Sequence, residues 1–193
     1  MPCQHLEAHK LLGVFAMAAF LAAPVPVQAA SCPDVGADSP AARAREWILV
    51  GWEKRPGDPA FDFQRQLGRF YDQDVAPADA SFYDDFDPQH RLLNRAADYG
   101  AIWQAPFTAL RAAEHRISQA PKVLRDGRLA VSTLQFVARL TTADGTAVGI
   151  RTLSTLTWRC SAGGWKIVRE HNSSQRIAGD ALDAAMAGAS AER

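Results

Sequence analysis

The sequence predicts an α+β fold, with N-terminal helices packed on a strongly curved antiparallel sheet to make a cone-shaped α+β barrel. Three observations predict it. The C-terminal half carries turns at regular spacing, Asp126-Gly127, Asp144-Gly145 and Ala162-Gly163-Gly164. The runs between these turns are rich in Val, Ile, Leu, Thr, Phe and Trp, the pattern of antiparallel strands joined by tight hairpins. The region before them carries apolar residues at helical spacing behind repeated cap-and-proline starts, so helices precede the sheet and fold onto one face of it.

Taken in order, residues 1–30 read as a signal peptide. Lys10 precedes an apolar run over 11–23, followed by Pro24, Pro26 and a small-residue site that fits cleavage after Ala29 or Ala30. The run is too short to stay in a bilayer as a helix, so a permanent anchor is the weaker alternative. A periplasmic or secreted location follows. Ala30-Ser31-Cys32 is a poor lipoprotein signal, which leaves lipid attachment as a minor alternative. Residues 31–40 form a linker, 41–174 one domain, and 175–193 a tail that is helical or disordered. Cleavage removes Cys3 and leaves Cys32 and Cys160 in a compartment that permits disulfides, so they either pair or remain two free thiols.

Three helices are expected next. Ser39-Pro40 starts the first, which carries Ala44, Trp47, Ile48 and Trp52 and ends at Pro56-Gly57. Asp58-Pro59 starts the second, with Phe63, Leu67, Phe70 and Tyr71. After a short strand over 80–86, Asp87-Pro88 opens the third, with Leu92, Leu93, Ala96, Tyr99 and Trp103, ended by Pro106. Four strands over 111–124, 129–142, 147–159 and 165–173 complete the domain, two of them long enough to require a twisted, curved sheet.

The order of elements, the segment Tyr83-Asp84-Asp85-Phe86-Asp87-Pro88 and the Gly-Gly-Trp, aliphatic strand and His-x-Ser pattern at 163–173 resemble the SnoaL-like branch of the nuclear transport factor 2-like superfamily, over residues 43–173. That superfamily includes steroid isomerases, polyketide cyclases, dehydratases, a kinase association domain and transport adaptors. The resemblance implies a conical pocket between sheet and helices, and a homodimer through the outer face of the sheet. The residues add to the second expectation. In the second long strand Leu129, Val131, Thr133, Gln135 and Val137 alternate with Ala130, Ser132, Leu134, Phe136 and Ala138, so neither face is clearly wet and something covers the outer one. The alternative cover is the tail, folded back as a helix through Ile177, Leu182 and Met186.

Strand alternation selects the candidate pocket residues. In the last strand Trp165, Ile167, Arg169, His171 and Ser173 share a face read as inward, Lys166, Glu170 and Asn172 the opposite one, and Val168 is out of phase. Arg169 and His171 would then bind or polarise an anionic or carbonyl ligand, or else form a core network with Asp84 or Asp85. Tyr83 and Asp85 share a face, a phenol and a carboxylate suited to proton transfer, with helix capping as the plainer role. Trp47, Tyr99 and Trp103 are candidates to wall an apolar cavity, and Gln135 and Arg151 to add polar contacts.

Other chemistry lacks its residues. No nucleophile elbow, phosphate loop or dinucleotide fingerprint is present, His90, His115 and His171 show no metal-ligand spacing, and no cofactor or metal is expected. Lys plus Arg number 21, as do Asp plus Glu, and the balance argues against nucleic acid as a partner. Two functions remain: a noncatalytic module that binds a small, largely apolar molecule or serves as a dimeric scaffold, and a cofactor-free isomerase, cyclase or dehydratase. In the enzyme Asp85 would be the base, and Tyr83 or His171 the hydrogen-bond donor.

Overall fold

A computed structural model describes residues 32–177 and 179–189. The expected leader lies outside the described residues. The first helix, α1, spans Pro40–Glu46, and the hydroxyl of Ser39 accepts a hydrogen bond from the Ala42 backbone N–H at 3.3 Å. It continues as a π-helical turn over Trp47–Gly51, in which the Trp52 N–H donates to the Trp47 carbonyl at 3.2 Å. In an α-helix, residues five apart diverge by roughly 140° around the axis. The wider turn lets both indoles face inward, where their rings meet edge to face at 6.3 Å.

The second helix is shorter than the sequence predicts and starts later. Asp58 accepts from the Arg55 N–H and closes a turn, and Asp62 caps α2, Phe63–Gln66. A single 3-10 turn, Gly68–Phe70, follows. Gly51 permits the close approach of α1 to this segment, because a Cβ there would lie 2.4 Å from Leu67 Cδ2.

Strand β1, Ser81–Asp84, pairs in parallel with the last strand. The third helix does not open at Asp87-Pro88. That segment is a loop: Phe82 and Leu93 exchange backbone hydrogen bonds, and helix α3 spans Ala96–Ala109. Nor does Pro106 end α3, since it lies within the final turn. The helix ends instead against Lys54, whose buried ammonium donates to the carbonyls of Phe107, Thr108 and Leu110 at 2.8, 2.9 and 2.5 Å. Those carbonyls include groups left orphaned at the helix end, and the cation suits its negative pole.

The meander follows as predicted, with β3 at its predicted bounds and the other strands longer: β2 Leu110–Asp126, β3 Leu129–Thr142, β4 Ala147–Ser161 and β5 Gly164–Ile177. The sheet order is β1-β5-β4-β3-β2. Its concave face packs on the helices around an aromatic cluster centred on Trp52, which contacts Trp47, Phe61, Phe63, Trp103 and Phe107 with ring centroids 5.0 to 6.3 Å apart.

The tail turns back as α4, Asp180–Gly188, and lays Leu182 and Met186 on Val137 and Ile177 of the outer sheet face, with Arg139 paired to Asp183. The tail is thus one cover of that face. Cys32 and Cys160 form a disulfide with their Cα atoms 5.8 Å apart, which ties the start of the described chain to the end of β4.

Candidate functional site

Which side chains point into the cone depends on one irregularity. Between the pairs Trp158–Ile167 and Thr157–Arg169, β5 uses two residues where β4 uses one. The extra residue, Val168, is a β-bulge, and a bulge reverses the facing of everything beyond it. The inward set is therefore Trp165, Ile167, Glu170 and Asn172, and the outward set includes Arg169, His171 and Ser173. The expected inward placement of Arg169 and His171 is corrected accordingly.

Tyr83 and Asp85 are corrected as well. Phe82 and Asp84 face inward in β1, so Tyr83 and Asp85 face away from the cavity. Tyr83 packs against His171 at 5.0 Å between centroids, and its hydroxyl lies 3.4 Å from His90 Nδ1, on an open outer groove that Arg169 and Asp85 also line. Asp85 Oδ2 accepts from the Ser174 backbone N–H at 2.7 Å. Gln135 faces outward and accepts from the Ser118 hydroxyl, and Arg151 is exposed on the same face. The sheet therefore separates Gln135, Arg151, Arg169 and His171 from Trp47, Tyr99 and Trp103.

Inside the cone lies a cavity of about 80 Å³. Trp47, Trp52, Phe86, Trp103, Phe107 and Phe136 give it aromatic walls, and Asp84, His115, Thr152, Asn172 and Ser174 are its polar members. Four of these residues have a buried polar atom without a hydrogen-bond partner: Trp52 Nε1, Trp103 Nε1, His115 Nδ1 and Asn172 Oδ1. The His115 nitrogen sits 3.5 Å from Glu53 Oε2, without hydrogen-bond geometry.

Behind the cavity lies a buried acid network, and its Glu170 and Asn172 belong to the face that simple alternation reads as the outer one. Glu170 is 2% exposed. Its Oε2 accepts from the Tyr71 hydroxyl at 2.6 Å, and its Oε1 from Tyr99 and Asn172 Nδ2, both at 2.7 Å. The Asn172 amide also donates to Asp84 Oδ2 at 2.9 Å, while Asp84 Oδ1 accepts from the Phe86 N–H at 2.9 Å. Trp47 Nε1 donates to the Tyr71 oxygen at 3.1 Å.

No cation reaches the two acids through these hydrogen bonds, so burial dominates their titration, and the Asp84 charge adds to the effect on Glu170. Burial pushes the Glu170 carboxyl up to about 7 and the Asp84 carboxyl up to about 6, against the hydrogen bonds that favour their ionised forms. Burial beside Glu170 also raises both phenols well above their ordinary value. Asp84 alone of the two acids reaches the cavity, where it can exchange a proton with a bound molecule near neutral pH.

The residues missed by sequence reasoning are thus Glu170, Asn172, His115 and Tyr71, while Asp84 enters it only as a partner in a core network. Two signals pointed to them. Val168, the apolar residue out of phase, marks the bulge, and Phe82 sets the inward parity of β1.

No family model matches this chain, and no curated protein matches it. Solved structures do. A conserved protein from Planctomyces limnophilus superposes with a TM-score of 0.52 at 16% identity, over 71% of this chain and 95% of its own. A Xanthomonas campestris protein named as a calcium/calmodulin dependent protein kinase II association domain gives 0.52 at 17% identity, over 76% and 94%. A Novosphingobium aromaticivorans protein named as a scytalone dehydratase gives 0.50 at 12% identity, over 72% and 84%. The chain has the nuclear transport factor 2-like fold, as its resemblance implied. At these identities the likeness is one of fold, and fold does not assign an activity.

Proposed function

We propose that this chain is an exported module of SnoaL-like type that holds a small, uncharged, largely apolar molecule in its cone. The observation that carries the reading is the set of unpartnered polar atoms on Trp52, Trp103, His115 and Asn172 around an aromatic cavity. Buried polar groups in folded proteins are normally paired, so a cluster of unpaired ones around a void marks where a guest or water completes them. A carboxyl that burial already holds near 6 adds a cost to admitting an anion beside it.

Export is supported by the composition of residues 1–30 and by the Cys32–Cys160 disulfide directly after them. A homodimer through the part of the outer sheet face that α4 leaves open completes the reading, supported by exposed Leu153 and half-buried Val131 on that face. Native mass spectrometry of protein purified from its own host tests the proposal. The expected spectrum shows an organic adduct released on unfolding, and a bare chain mass overturns it.

A second reading is favoured by Asp84. In a cofactor-free enzyme this carboxylate, rather than Asp85, would be the general base, and the unpartnered indole N–H groups would face a developing enolate. Because the base is needed ionised, kcat/KM would rise with pH through about 6 and level off above it. Asp84→Asn would abolish the rise and at least 100-fold of the rate. A pH–rate profile without that inflection counts against the reading.

A further inference from the structure

The cavity of about 80 Å³ is too small for a drug-sized guest, which needs roughly 300–1,000 Å³. It does not stand alone. Phe86, Trp103, Phe107 and Leu140 from its wall also line a second hollow of about 340 Å³, between the 86–91 segment and the C-terminal half of α3. Beyond those four residues, Ile102, Pro106 and Leu110 keep its sides apolar.

Its lip is polar and fixed. Arg91 donates from Nε and Nη2 to the two oxygens of Asp87 at 2.8 and 3.0 Å, and the same buried carboxylate accepts the backbone N–H groups of Gln89 and Arg91. With its guanidinium already matched by a carboxylate, Arg91 offers no free charge that would select an anionic tail.

We infer that the two hollows are one site, and that its ligand is an elongated amphiphile with a carbonyl or hydroxyl head and an uncharged apolar body. The head sits among Trp52 Nε1, Trp103 Nε1, Asn172 Oδ1 and Asp84. The body runs over Phe86, Trp103 and Phe107 into the outer hollow, along Ile102 and Pro106. This inference rests on the binding reading above and adds the length and polarity of the guest.

A series of 2-alkanones from 2-pentanone to 2-undecanone tests it, with binding read from tryptophan fluorescence. A buried methylene is worth about 0.8 kcal/mol, so each added carbon strengthens binding roughly 3- to 4-fold until the outer hollow is full. Ile102→Asp, which alters the outer hollow alone, leaves 2-pentanone affinity unchanged and removes the chain-length increments. Pro106→Asp, at an exposed position, does the same if the first variant folds poorly. Binding of the short ketone with no increment, or with increments that survive both variants, overturns the inference and spares the binding reading. Failure of every ketone to bind overturns both.

Discussion

Replacing Cys32 and Cys160 with serine lowers the stability of the domain by about 4–5 kcal/mol. The bridge closes a loop across a sequence separation of 128, almost the whole domain. In the chain-entropy account, the longer the loop, the more freedom the cross-link removes from the unfolded chain, and this loop lies near the upper end of that scale. The folded state also loses an anchor. Residues 32–39 are held on the sheet by the bridge, by the hydrogen bond from Trp165 Nε1 to the Pro33 carbonyl at 3.0 Å and by the Arg125–Asp34 ion pair. At about 2–4 °C per kcal/mol for a domain of this size, the melting temperature falls by roughly 10–20 °C. Differential scanning calorimetry with and without reductant measures it, and a shift below about 3 °C would show that the unfolded chain gains little from release.

The second large effect is on pH dependence. Glu170 and Asp84 are held at about 7 and about 6 in the folded chain, above their ordinary values of 4.5 and 3.8. The folded protein therefore binds these protons more tightly than the unfolded one, and unfolding releases them. These two groups make their full contribution to stability below about pH 4, lose it as pH rises to about 7, and leave stability level above that. Glu170 alone contributes a change on the order of 3 kcal/mol across its window.

Glu170→Gln removes its ionisation while keeping its shape, so the variant loses most of the decline between pH 4.5 and 7. Urea denaturation at pH 5, 6, 7 and 8 reads the difference. Wild-type stability that is flat or rising over this interval contradicts the assignment of Glu170 as a carboxyl destabilised in its charged form by burial.

The fold was legible because its signals are local. Asp-Gly hairpins at Asp126 and Asp144, long β-rich runs and the Ser39-Pro40 start each report on a few adjacent residues, and α1, β3 and the order of the meander lie where those signals put them. The second and third helices show where local signals mislead. Asp58-Pro59 and Asp87-Pro88 have the composition of helix starts, but Asp58 closes a turn and the strand-like bridge of Leu93 to Phe82 draws the chain after Asp87 into the sheet's edge. Pro106 is tolerated in the last turn of α3. Its missing N–H removes the bond to the carbonyl of residue 102, but only three helical residues follow, so little of the helix is disturbed.

The site was less legible for one geometric reason. Alternation predicts facing only while the register is unbroken, and a single extra residue at Val168 exchanges Arg169 and His171 for Glu170 and Asn172 as the residues inside.

By itself the sequence determined the class of architecture, the succession of strands and the cysteines available for pairing, because turn chemistry, apolar period and residue count are properties of neighbours along the chain. The tertiary structure decided that those cysteines meet, that the tail caps the outer face, and that an acid pair with aromatic company lies within the cone. Contacts such as Tyr71 with Glu170, 99 residues apart, depend on sheet curvature and one bulge, and no local pattern encodes them.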